Sequence, residues 1–258
     1  MRIIQRVSAF TLLELLVVLS IMTLLLAVLM PGLSSARAQA RRTACGSNIR
    51  QIAMANDQYA LESGGTYVPG AANHLKNLDR WHGQRKTQYE PFHSNNGPLV
   101  THLGLDSGIR TCPTFDPDSI GFETGCGGYG YNNAYIGVQT VSFPSGESIV
   151  TNDQVGTLSS RIKRPGETVM FTDSAFVSSR LIEYSFAEPR FHPQYKSRAD
   201  PSIHFRHADL ANVAWCDGHV SAERRTFSWS SGFYEGDPER FNVGWFGPSD
   251  DNRLFDLD

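Results

Sequence analysis

The chain has 258 residues, a formal net charge of −3 and an isoelectric point near 6.2. That length suits one large domain, or one domain with an appendage, and the lack of a basic surplus argues against nucleic acid as a partner. Charged residues make up 19% of the chain, below the usual soluble share, while glycine, serine, asparagine and aromatics fit a loop-rich β domain better than a helical bundle.

The first element in chain order is the run FTLLELLVVLSIMTLLLAVLM, Phe10 to Met30. As a helix it would span about 31 Å, the thickness of a bilayer core. A secretory signal has a shorter apolar core, about 7 to 15 residues, and a small-residue cut site after it, which the region beyond Met30 lacks. A helix apolar on every face inside a globular protein would need protein on every side. The sequence therefore predicts a membrane span over about 10–30. Within it stands one acid, Glu14. A carboxylate in a membrane segment costs about 2.5–3.5 kcal/mol at the helix centre, less toward the interface, and by default marks a functional site with a partner. No lysine or arginine lies in the run, so the partner must come from elsewhere, such as a free amine on a neighbouring chain. Arg2 and Arg6 before the run favour a cytoplasmic leader, whereas Arg37, Arg41 and Arg42 after it argue the other way, so charge alone leaves the orientation open.

The string Ser8-Ala9-Phe10-Thr11-Leu12-Leu13-Glu14, behind a short basic leader, resembles the type IV prepilin and type II secretion pseudopilin signature. In that family a small residue, usually glycine and here Ala9, precedes the cut. The resemblance implies a leader over 1–9, cleavage by a prepilin peptidase between Ala9 and Phe10, and N-methylation of Phe10. It also implies a role for Glu14 in offsetting the amine of an adjacent subunit's Phe10 during assembly. It further implies a single-pass protein of the bacterial inner membrane, N-terminus cytoplasmic before cleavage, with an extracytoplasmic globular domain. The implied partners are membrane lipid, the peptidase and other pilin-like subunits.

From Leu33 the helical pattern continues. Cys45, Ile49, Ile52 and the pair Tyr59 and Ala60 recur at steps of three or four, interrupted by Asn56, and Gly64-Gly65 supplies a stop. A helix over 10–64 is expected, membrane-spanning at first and amphipathic afterwards, with Pro31 placed to kink it. The run Cys45-Gly46-Ser47-Asn48-Ile49-Arg50-Gln51-Ile52 resembles the start of the soluble segment in a bacterial pseudopilin-like group.

A globular domain is expected over 65–258. Residues 66–96 read as a long surface loop with short helices, Pro98 to Leu105 as one or two helical turns, and Thr111 to Gly128 as loop. Tyr129 to Val138 has strand-like aromatics, and Thr168 to Thr172 reads as a buried strand introduced by Pro165-Gly166. In Ala211 to Ser221, Asp217-Gly218 between two β-prone runs predicts a hairpin with a two-residue type I′ loop, with Val213 and Trp215 on one face. With His207 this makes His-x9-Asp-Gly, which resembles the C-terminal motif of the same pseudopilin-like group, as do Val243 to Pro248 and Asn252 to Asp256. The fold class implied is α+β and pilin-like, with the long helix packed on an antiparallel sheet carrying loop insertions.

Four cysteines, Cys45, Cys112, Cys126 and Cys216, form no CxxC pair. If the domain is exported, Cys112 with Cys126 is the expected disulfide, since both lie in a loop-like stretch. The alternative is four reduced packing residues. His204, His207, Cys216 and His219 have zinc-ligand character, and Asp173, Asp209 and Asp217 could offer oxygens to calcium, yet the plainer reading is a hairpin with surface histidines and no cofactor. No GxSxG or other nucleophile motif is present, so an enzyme is not expected. Trp81, Trp229 and Trp245 leave one alternative, a membrane-anchored module that binds a glycan or other surface ligand, set against the commoner fate of tryptophan in a core.

Overall fold

A computed structural model describes residues 11–104, 107–119, 121–143, 148–193 and 196–258. The chain divides into two compact units, Met1–Ala40 and Arg41–Asp258.

One helix, α1 (Leu12–Glu62, 51 residues), runs across the division and is uninterrupted at Pro31. Proline supplies no N–H to the preceding turn, and nearby the Ser34 hydroxyl donates to the Pro31 carbonyl at 2.8 Å. In the first unit every residue from Thr11 to Ala40 is exposed, including the large side chains Leu12 through Leu33. An 18-residue window of the helix has mean hydropathy 2.8 and none of it is buried, so length and composition suffice for a membrane span. The residues after Ala40 differ in kind. Cys45, Ile49, Ile52, Ala53, Ala55, Asn56 and Ala60 are buried, a one-sided face at helical spacing. The helix ends at Glu62, where Gly65 N–H reaches back to Ala60 O at 2.7 Å.

The centre of the second unit is a four-stranded antiparallel sheet. Its strands are β1 (Tyr129–Tyr131), β2 (Val169–Asp173), β3 (Leu210–Trp215) and β4 (Val220–Arg224), in the order β4-β3-β2-β1. Phe171, Ala214, Tyr129 and Tyr131 pack in one cluster with Cys45, Ile49, Ile52 and Ala53 of α1. Val169, Val213 and Trp215 join a second cluster with Trp245, Phe246, Phe205 and Phe255. Val213 and Trp215 thus share a face while Ala214 between them looks the other way, as strand alternation requires. The expected helix-on-sheet α+β arrangement is present.

Three expectations change in detail. The buried strand is displaced by one residue, to Val169–Asp173, and all five positions are buried. The strand expected over Tyr129 to Val138 stops at Tyr131. There Asn132 Nδ2 donates to Val169 O at 2.9 Å and Phe255 O at 2.8 Å, anchoring the start of a turn in which Ile136 N–H bonds Asn132 O. The hairpin between β3 and β4 has a three-residue loop, not two: Trp215 N–H pairs with His219 O, and Gly218 N–H closes the turn on Trp215 O. Only Gly218 takes a positive φ, 87°, while Asp217 does not, so the loop is a type I turn followed by a glycine bulge. The loop-rich stretches hold short elements, among them the paired strands Asp79–Arg80 and Gly83–Gln84 and a one-turn helix at Val100–Leu103.

Candidate functional site

Among the described residues, two places gather candidate functional side chains. The first is the start of α1. Thr11 N–H and hydroxyl both donate to Glu14 Oε2, at 2.9 and 2.8 Å, while Glu14 N–H donates to Thr11 Oγ1 at 3.2 Å. This is a reciprocal capping box, threonine at the N-cap and glutamate three residues on. The acid that stood out in the sequence therefore has a partner within its own chain, on the same exposed turn. The Thr-x-x-Glu spacing that announces such a cap is legible in the sequence beside the membrane signal. Ala9 and Phe10, the expected cleavage pair, lie outside the described residues.

The second place is buried in the unit that begins at Arg41. Cys45 from α1, Cys112 from the loop after the Ser107–Arg110 turn, Asp173 from the end of β2 and His207 from the turn before β3 offer one atom each within 4.8 Å of one another. Cys45 Sγ lies 3.0 Å from Cys112 Sγ, 3.1 Å from Asp173 Oδ1 and 3.3 Å from Tyr129 Oη. His207 Nε2 lies 3.3 Å from Asp173 Oδ2 and 3.6 Å from Cys112 Sγ. All four residues are buried.

Local backbone sets each of these. His207 is followed by Ala208 and Asp209 at φ 55° and 62°, a left-handed pair that non-glycine residues rarely adopt. The turn is closed by His207 N–H on Leu210 O, and Asn242 Nδ2 holds Asp209 Oδ1 at 3.0 Å. Asp173 Oδ2 accepts the Asn212 N–H at 2.7 Å. Cys112 is fixed by its N–H on Gly127 O. Gly127 has φ 67°, and a Cβ there would fall 1.8 Å from Arg110 O, so only glycine permits this approach.

Charge is concentrated at the cluster. Arg206 lies 4.3 Å over the Phe115 ring and donates to Gly128 O and Ser174 O. Its Nε and Nη1 are buried without a hydrogen-bond partner among the described residues. Burial pushes the Cys45 thiol up, and its hydrogen bond to Cys112 adds to that. The same bond lowers the Cys112 thiol, against burial and with help from His207 and Arg206. Burial would lower His207, but its hydrogen bonds to Asp173 and Cys112 prevail and raise it to about 9. Burial would raise Asp173, yet Arg206 and His207 hold it below the ordinary carboxylate range.

The expected site residues fall differently from their sequence grouping. His207 enters the cluster, whereas Asp217 lies on the exposed hairpin, where Oδ1 accepts His219 N–H at 3.0 Å and meets His219 Nδ1 at 2.6 Å. Gly218 closes that loop. The set His204, His207, Cys216 and His219 is not assembled: Cys216 packs in the α1 cluster and His219 stacks on Trp215. Nor do Asp173, Asp209 and Asp217 meet, since Asp209 bonds Asn242 and Asp217 bonds His219. Cys112 and Cys126 are not joined. Both are free thiols, and the loop turns Cys126 toward Trp81, His82 and Leu99 while Cys112 faces α1. The tryptophan surface is not formed either. Trp81 donates to Ser185 O and Trp245 to Glu188 O, and both are buried. Sequence reading missed Cys45 and Asp173 as partners of His207 because they lie 162 and 34 positions away.

Residues 4–30 match the prokaryotic N-terminal methylation motif. The chain therefore carries a prepilin-type N-terminal domain, the mark of a type IV pilin or pseudopilin-type precursor, and the apolar helix that follows suits a membrane-anchored protein. No curated protein and no solved structure matches the chain.

Proposed function

We propose that the protein is a pilin-like or pseudopilin-like structural subunit, cut between Ala9 and Phe10 by a prepilin peptidase, methylated on Phe10, and assembled with other such subunits through α1. The observation that carries this reading is the methylation motif at residues 4–30 running into a helix whose Thr11 to Ala40 stretch is exposed throughout. An apolar surface of that extent needs lipid or other helices around it. In this reading the leader stays cytoplasmic and the domain beyond Arg41 lies outside the membrane. Glu14 then exchanges its capping bond, or shares it, with the terminal amine of a neighbouring subunit. The role is structural rather than enzymatic.

Mass spectrometry of the N-terminal peptide, from protein isolated from cells with an active prepilin peptidase, tests the processing. The expected species begins with N-methylated Phe10. A mature chain that starts elsewhere, or keeps residues 1–9, refutes the proposal.

A further inference from the structure

We infer that Cys45, Cys112, Asp173 and His207 form a structural zinc site that ties α1 to the central sheet of the domain. The donor set is two thiol sulfurs, one imidazole Nε2 and one carboxylate oxygen, all zinc ligand types. With zinc–ligand bonds of about 2.0–2.3 Å, a tetrahedral shell puts its ligand atoms about 3.3–3.8 Å apart. Here the two sulfurs are 3.0 Å apart, Cys112 Sγ is 3.6 Å from His207 Nε2, Cys45 Sγ is 3.1 Å from Asp173 Oδ1 and His207 Nε2 is 3.3 Å from Asp173 Oδ2, so one atom from each residue lies within 4.8 Å of the others and the sulfurs need only move apart to admit the ion. Four protein ligands leave no open position, which is the arrangement of a structural rather than a catalytic metal.

The surroundings complete the shell. The Asn212 N–H orients Asp173, and the Tyr129 hydroxyl stands 3.3 Å from the Cys45 sulfur, where it can donate to a thiolate. Zinc with two thiolates and one carboxylate carries a net charge of about −1, and Arg206 supplies the opposite charge with two N–H groups otherwise unsatisfied. On binding, the protons that the two thiols and the His207 Nε2 hold in the metal-free cluster leave to solvent, and two zinc–sulfur bonds and one zinc–nitrogen bond form with no change in oxidation state. A Cys45–Cys112 disulfide would account for the two sulfurs alone. It does not account for Asp173 Oδ1 and His207 Nε2 facing those sulfurs, at 3.1 Å from Cys45 Sγ and 3.6 Å from Cys112 Sγ.

The full chain, solubilised in detergent and kept reduced, provides the test. Metal content is measured after dialysis against metal-free buffer, and the chelator-stripped protein is titrated with Co²⁺. Roughly one zinc per chain is expected, together with a cobalt spectrum showing thiolate charge transfer and four-coordinate ligand-field bands. Cys45→Ser and Cys112→Ser are each expected to cut uptake to below about a tenth, while Cys126→Ser and Cys216→Ser retain it. The unmodified chain carries the test even where a variant fails to fold. Absence of stoichiometric uptake by the reduced wild-type chain overturns the inference. So does a cobalt spectrum without thiolate charge transfer, or a Cys45–Cys112 disulfide in metal-free protein isolated from the cell envelope.

Discussion

Glu14 has two tasks that a pair of substitutions can separate. In the structure its carboxylate accepts both donors of Thr11 and closes the capping box of α1. In the proposed assembly it also neutralises a neighbour's terminal amine. Glu14→Gln keeps an acceptor at the third helical position, where glutamine serves a capping box as glutamate does, but removes the charge. Glu14→Ala removes both. The cap contributes about 1 kcal/mol, a fivefold effect on the local helix start. The charge contributes more. An unpaired terminal amine inside a helix bundle in lipid costs about 2.5–3.5 kcal/mol at mid-membrane, and Glu14 stands in the first turn of α1, toward one end of the apolar run. Taking about 2 kcal/mol at that depth gives a roughly thirtyfold weaker subunit contact. Both variants are expected to enter the membrane at wild-type levels. The share of subunit in sheared or cross-linked filaments should then fall nearly as far in Glu14→Gln as in Glu14→Ala, while Thr11→Ala, which damages only the cap, should stay close to wild type. Wild-type incorporation of Glu14→Gln refutes the charge role and leaves capping as the only function of this acid.

Three further outcomes follow from the domain beyond Arg41. Asn56 is fully buried, accepting Val68 N–H at 2.9 Å and donating to Tyr131 Oη at 3.2 Å, so Asn56→Ala strands a buried donor and is expected to cost about 1–3 kcal/mol in denaturant unfolding. Glu123 lies buried between Arg80, at 2.7 Å, and His82, at 4.0 Å. Burial would raise its carboxyl, but the nearby His82 ring together with the hydrogen bonds and charge of Arg80 holds it at about 2, below the ordinary 4.5. Its contribution, on the order of 3 kcal/mol, is therefore fully present above pH 4.5 and disappears as pH falls toward 2. Glu123→Gln should flatten that acid limb in pH-dependent unfolding and, by leaving Arg80 buried and unpaired, cost about 3–5 kcal/mol at neutral pH. Gly127→Ala meets both a positive φ and the Arg110 carbonyl, and a melting temperature unchanged by it would contradict the close approach that places Cys112.

The legible part of the fold was the part written in local patterns. The membrane run, the one-sided face from Cys45 to Ala60, and the β-prone halves around Asp217-Gly218 each depend on spacing within one element. Asn56 broke that face in the sequence, and its reason lies elsewhere, in the Val68 N–H and the Tyr131 hydroxyl that it satisfies. The Asp217-Gly218 pair fits both a two-residue and a three-residue loop, and only the Trp215–His219 pairing selects between them. The disulfide expectation rested on Cys112 and Cys126 sharing a loop. The main chain does bring them close, through Cys112 N–H on Gly127 O, but sends the two sulfurs in different directions. The four-residue cluster was illegible for a simpler reason: its members are spread from position 45 to position 207, and nothing in the sequence encodes their meeting except the fold itself.

α1 carries two kinds of residue on one continuous helix, and the two proposals divide along it. Up to Ala40 its side chains are apolar on all sides at first and exposed throughout, a surface suited to lipid and to other copies of itself. From Cys45 onward it packs through a narrow face built largely of small residues, Ala53, Ala55 and Ala60 with only Ile49 and Ile52 as large aliphatics. Small residues bury little area each, about 25 cal/mol per Å², so this face holds the helix less firmly than a leucine-rich one would. Any load applied to the helix by assembly must reach the domain through that contact. A metal at Cys45, near the first turn of the packed stretch, would act there, where a helix begins to peel from a sheet. The same reasoning makes zinc removal and Ile49→Ala alike in their consequence. Each should expose the residues after Ala40 to proteolysis earlier than it lowers the unfolding midpoint of the sheet, and simultaneous loss of both would show that the helix contact and the sheet form one cooperative unit.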